Sequence, residues 1–155
     1  IMIPRKGAQV ASITEKGLRD VIEVRSVLED FAACLACDRI DEADMKEMQE
    51  VHEQFIKAVE SDDLLKTVDT DEKFHDVIFR AAKNERLLSI IASLREQFYR
   101  YRVEDIKDMK DYSILITEHE QLMKAIFNHD QDAARHFMNT HIKNQKERVS
   151  ERIHD

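Results

Sequence analysis

Asp71, His75, His119 and His141 are the residues of this chain best suited to chemistry. Each is a good transition-metal ligand, and each falls on the apolar stripe of an expected helix. A carboxylate or imidazole aimed into a core is costly unless something there satisfies it. Asp71 and His75 stand four apart, so both project from one helix face on successive turns and can chelate one ion. His119 and His141 lie eleven residues on either side of Asp130, in the middle of an expected turn. In an antiparallel hairpin such positions are level, about 16 Å from the turn at a rise of about 1.5 Å per residue. Three imidazoles and one carboxylate suit Zn²⁺, Ni²⁺, Mn²⁺, Fe²⁺ or Co²⁺, zinc foremost. A five- or six-coordinate ion keeps positions open for a ligand's oxygens.

Arg25 shares the stripe of Ile22 and Leu28, and a buried guanidinium demands an anion. That anion is either an inward acid such as Glu29, four residues on, or the carboxylate of a bound ligand. Arg95 and Arg102 flank the Ile91–Phe98 stripe and supply a second cationic wall if they turn inward; Arg102 is the better placed. Arg25 and Arg102 are therefore the candidate effector-binding residues. The remaining histidines read as ordinary: His52 as a core residue, His129 and His136 in a turn and on a polar face, His154 in the tail. Cys34 and Cys37 form a lone CxxC on a helix, which points to core or boundary thiols rather than a zinc or redox site.

The elements that must position these groups are helices. The chain of 155 residues holds 2 Gly and 1 Pro, all at or before Gly17, so nothing from Leu18 onward breaks a helix. Helix 1 is expected over about Lys16 to Arg39, and helix 2 after an Asp41 cap. Helix 3 follows Ser61-Asp62-Asp63 with the stripe Leu64, Val68, Asp71, His75, Ile78, Ala82. A long helix 4 starts after Asn84 and carries Leu87, Ile91, Leu94, Phe98 and Tyr101. Helix 5 follows Asp111, and helix 6 follows the turn Asn128-His129-Asp130. Six helices with short connections imply an all-α antiparallel bundle over 16–155. The opening Ile1–Ile13, with Pro4, Gly7 and a short apolar alternation, reads as the tail of a β-hairpin and a linker.

Composition narrows the function. A net charge of −8 makes the chain a poor nucleic-acid binder by itself, because phosphate contact needs a basic face. No apolar run approaches membrane-spanning length, and two cysteines without a framework point to a reducing, cytoplasmic setting.

The motifs together resemble the C-terminal ligand-sensing domain, the FCD domain, of GntR-family bacterial transcription regulators of the FadR-type subgroup. "EVRSVLED" is similar to the family's Arg-x-x-x-Glu opening. "DEKFHDVIFRAAKN" resembles its Asp-x-x-x-His helix and the small-residue turn ending in Asn. "TEHEQLMKAIFNHDQDAARHFMNTH" resembles its closing pattern of His, Ala-Ile, Asp, Ala and a final His. Lys83 departs from the pattern, standing where many members have Gly. The resemblance implies an all-helical, usually homodimeric effector domain, with metal ligands on Asp71, His75, His119 and His141 and with Arg25 in the effector pocket. It also implies that "IPRKGAQVASIT" is the last strand of a winged helix-turn-helix domain that is otherwise missing, through which operator DNA is read.

The expected function is therefore the sensing half of a metabolite-responsive regulator, binding a small organic acid through a buried metal ion and Arg25, and not catalysis. The alternative is a helical-bundle mononuclear metalloenzyme. Glu72-Lys-Phe-His75 supplies one Glu-x-x-His of a di-iron pattern, but Met138 stands three before His141, so the second is absent. A structural zinc holding a dimerisation module is the third account.

Overall fold

Helix signals place most boundaries, and the computed structural model, which describes residues 14–153, follows them closely. Thr14 accepts from the Gly17 N–H to open α1 (Glu15–Arg39). Asp41 and Asp44 form a reciprocal capping box at the start of α2 (Glu42–Glu60). Asp63 caps α3 (Leu64–Ala81), and Asn84 caps α4 (Glu85–Ser93). Then come α5 (Arg95–Ile106), α6 (Ser113–Phe127) and α7 (Gln131–Ile153). Each short cap residue satisfies an N–H that the first helical turn leaves without a partner. The expected strand remnant at Ile1–Ile13 lies outside the described residues.

The count is seven helices among the described residues, not six. The long fourth helix is interrupted at Leu94, whose ψ of 3° ends α4, and α5 restarts from the same residue without a side-chain cap. No proline or glycine marks the site, so the break belongs to packing rather than to local propensity. Among the described residues three turns close on left-handed residues that are not glycine: Asp62 (φ 54°), Lys83 (φ 52°) and His129 (φ 56°). Each follows a helix end, the position that favours glycine. Lys83 holds that conformation where the resembled family commonly has Gly. It also reaches back to Asp41 (3.3 Å) and Asp44 (2.8 Å).

The bundle is built on α1 against α7 and α2 against α3, with α6 beside α7 and α5 across α3. The main apolar core joins Leu18, Ile22, Met48, Phe74, Ile78, Leu122, Met138 and Ile142 from α1, α2, α3, α6 and α7. A second core gathers around Phe79, Ile91 and Phe98, and a third around Phe55, Val68, Ile106 and Leu115. Leu64, read as inward, is instead 38% exposed, because the first residue of α3 starts outside the packed layer. No helix among the described residues is long and apolar enough to cross a membrane.

Candidate metal centre

Between those three cores lies a set of polar side chains that water does not reach. Asp71 and His75 project from adjacent turns of α3, His119 from α6 and His141 from α7, all buried. The hairpin argument for His119 and His141 holds: their ring centroids are 5.9 Å apart. One donor nitrogen from each of His75, His119 and His141 lies within 4.8 Å of the other two. His75 Nε2 and His141 Nε2 are 3.2 Å apart, His119 Nε2 is 2.8 Å from Asp71 Oδ1, and that oxygen is 3.9 Å from His75 Nε2.

The partners of the far nitrogens decide what sits at the near ones. His141 Nδ1 is 2.5 Å from Glu118 Oε2, and Glu118 Oε1 accepts from Asn144 Nδ2 at 2.7 Å. His75 Nδ1 is 3.3 Å from Glu29 Oε1. A carboxylate beside Nδ1 places the proton there and leaves Nε2 with its lone pair. With both protons on Nδ1, two lone pairs face each other at 3.2 Å and a cation between them relieves the repulsion; a proton on either Nε2 makes the same contact a hydrogen bond. The edge of a tetrahedral site with Zn–N bonds of ~2.0–2.1 Å is about 3.3 Å, so this donor spacing fits a bound ion.

Electrostatics favour the same protonation states. Burial lowers the His75 pKa from 6.5 to about 4 and lowers that of His119, so both rings are neutral near pH 7, the form in which imidazole can ligate a metal. Burial opposes ionisation of Asp71, but the hydrogen bond with His119 and the charge of Arg102 outweigh it and hold the carboxyl well below its usual range. Glu118 is likewise low: burial raises it, and the contact with His141 more than compensates.

Both candidate effector arginines are interior. Arg25, on α1, directs Nε (3.0 Å) and Nη2 (2.9 Å) to Glu29 Oε2, gives Nη1 to Gln145 Oε1, and stacks 5.1 Å from the Phe98 ring. The internal pairing weighed for Arg25 is thus present. Arg102 is 3% exposed, with Nε 2.6 Å from Asp71 Oδ2, so it faces the cluster rather than flanking the stripe. Arg95 stays at the surface, paired with Asp76 and Glu72. A narrow cleft of about 10 Å³, lined by Glu72, Asp76, Phe79, Ile91, Arg95, Phe98 and Arg102, runs from the surface to Arg102. That is room for one water.

His52 is a core residue as expected, buried beside Phe55 and Phe74, its Nε2 3.5 Å from Glu120. Cys37 is buried and Cys34 half-buried, both free thiols. Sequence reasoning missed Glu118, Gln145 and the Arg148–Asp105 pair. Gln145 and Arg148 follow His141 by four and seven residues on one helical face, a usable signal; Glu118, one residue off the stripe of α6, carried none.

The FCD domain family matches residues 20–144. The chain belongs to the FCD family. Among its relatives, the HTH-type transcriptional regulator YdhC of Bacillus subtilis strain 168 is 21% identical over 150 residues, covering 94% of this chain and 65% of YdhC. The transcriptional repressor RspR of Escherichia coli K12 is 24% identical over 147 residues (94% and 64%). The gluconate operon transcriptional repressor of Bacillus licheniformis is 29% identical over 142 residues (85% and 56%). This FCD chain thus spans about 56–65% of the length of the curated relatives it matches. Its fold is that of E. coli McbR/YncC (TM-score 0.84, 18% identity, 93% of this chain and 69% of that one). It is also that of the TM0439 FCD domain, metal-free (TM-score 0.73) and Zn²⁺-bound (TM-score 0.70), each 24% identical over 90% of this chain and 96% of that one. The chain is a GntR-type FCD effector domain.

Proposed function

We propose that this FCD domain senses a small organic acid through a buried divalent metal ion held by Asp71, His75, His119 and His141. The observation that carries the proposal is the 3.2 Å approach of two imidazole nitrogens whose far sides both face carboxylates. The Zn²⁺-bound form of TM0439, a domain of the same fold, supports a metal here and zinc as the first ion to try. When bound, the ion supplies a Lewis-acidic centre for ligand oxygens. Two guanidiniums and three carboxylates leave the cluster one negative charge; a divalent ion turns that to one positive, which selects an anion.

Arg25 and Arg102 orient the ligand's carboxylate by charge-assisted hydrogen bonds, and Phe74 and Phe55 wall the cluster against water. Because the cleft beside Arg102, about 10 Å³, has room for no more than a water-sized group, a ligand enters only if α4 and α5 move apart around Leu94. That motion is the population shift through which occupancy reaches the rest of the regulator. DNA recognition resides outside this acidic chain, in the further length that the relatives possess. The regulator acts in the bacterial cytoplasm as a homodimer, with Val24, Val27 and Phe31 of α1, which are 44%, 69% and 47% exposed, at the interface.

The test is thermal unfolding against a panel of organic acids, with and without a chelator. Acids that raise the melting temperature of the zinc-loaded chain, and do so little after chelation, support the proposal. No acid effect with a large chelator effect leaves a structural zinc instead.

A further inference from the structure

Glu29 stands in two places at once. Its Oε2 takes the whole Arg25 contact, while Oε1, fully buried, lies 3.3 Å from His75 Nδ1. That contact is long: Oε1 stands 3.3 Å from Nδ1, against 2.5 Å between Glu118 Oε2 and His141 Nδ1. A carboxylate held this far from a buried imidazole N–H gives up part of a charge-assisted hydrogen bond, for which about 2.7–2.9 Å is usual. The geometry shows the cause: the guanidinium, anchored on Gln145 and over the Phe98 ring, turns the Glu29 carboxylate towards itself. Among the described residues Glu118 pairs with no guanidinium: its Oε1 accepts from Asn144, and Oε2 is closed on His141 Nδ1 at 2.5 Å.

We infer that Glu29 is a positioning residue shared between Arg25 and His75, so that drawing Arg25 away lets Glu29 close on His75 and tightens the metal site. The inference rests on the metal site proposed above. An outer carboxylate on a ligating imidazole fixes its orientation and raises its basicity, and its loss costs about 10–100-fold in metal affinity. A carboxylate ligand that captures Arg25 would release Glu29 to His75. Ligand and metal would then favour each other, by the same factor in either direction.

The test is zinc affinity, measured by competition with a chromogenic chelator, for the natural chain and for Glu29→Gln and Arg25→Gln. Glu29→Gln should weaken zinc binding about 10–100-fold. Arg25→Gln, which mimics the released state, should tighten it by roughly three- to tenfold. A merely structural salt bridge predicts that both variants weaken binding or that neither changes it, and either result overturns the inference. If Arg25→Gln folds only with zinc, its zinc-induced rise in melting temperature is compared with that of the natural chain. A larger rise supports the inference, and an equal or smaller one refutes it. Failure of the natural chain to bind zinc removes the metal site itself, a different result from bound zinc indifferent to both substitutions.

Discussion

Replacing Asp71 with Asn in the metal-free chain isolates the charge that this carboxylate supplies to the interior. Asp71 Oδ2 receives Arg102 Nε at 2.6 Å, Oδ1 lies 2.8 Å from His119 Nε2, and all three residues are buried. The substitution keeps the shape but strands a guanidinium that cannot lose its proton. Breaking a buried pair from one side costs about 3–5 kcal/mol. The amide oxygen still accepts from Arg102, which sets the expectation near the lower end, about 3 kcal/mol. For a domain of this size that is a fall in melting temperature of about 6–12 °C. Adding Arg102→Met removes the stranded charge, and an apolar replacement of a whole buried pair is close to neutral. The double variant should therefore regain most of the loss, with a coupling of about 2 kcal/mol. Urea unfolding of the four proteins in chelator measures the cycle. Additive losses would refute the reasoning, since Asp71 and Arg102 would then not depend on one another.

Other outcomes follow from the same geometry. The buried His75 ring titrates near 4 rather than 6.5, so the folded state favours the neutral form. Stability of the metal-free chain should be fully present above pH 6.5 and be lost as the pH falls towards 4, by up to about 3 kcal/mol; a His75→Gln variant that loses just as much would contradict this. Burial pushes the Cys37 thiol up to about 11, so mass spectrometry after brief iodoacetamide treatment of the native chain should find Cys34 modified and Cys37 untouched. Val27→Asp should convert a dimer to a monomer in light scattering without altering helicity, and an unchanged mass would move the interface elsewhere.

Much of this was legible from residue spacing. Thr14 excepted, the caps at Asp41, Asp63 and Asn84 could be read directly, because a short polar residue before an apolar periodic run has a local cause. The convergence of His119 and His141 was legible for a similar reason: a tight turn makes equidistant positions level. The break at Leu94 was not, since no residue type there disfavours a helix and the interruption arises from how α4 and α5 pack. Arg102 was placed at the edge of its stripe and proved buried, on the same face as Asp105 of α5. The outer partners were least accessible. Whether Glu118 meets His141 or solvent depends on the axial register of α6 against α7, which no periodicity encodes.

X-ray absorption at the zinc edge tests the central claim most directly. The zinc-loaded chain should show about three imidazole nitrogens and carboxylate oxygen within ~2.0–2.2 Å of one ion per chain, and His141→Ala should remove an imidazole contribution. A spectrum dominated by sulfur or water oxygen, or one unchanged by His141→Ala, would mean that these four side chains do not share an ion.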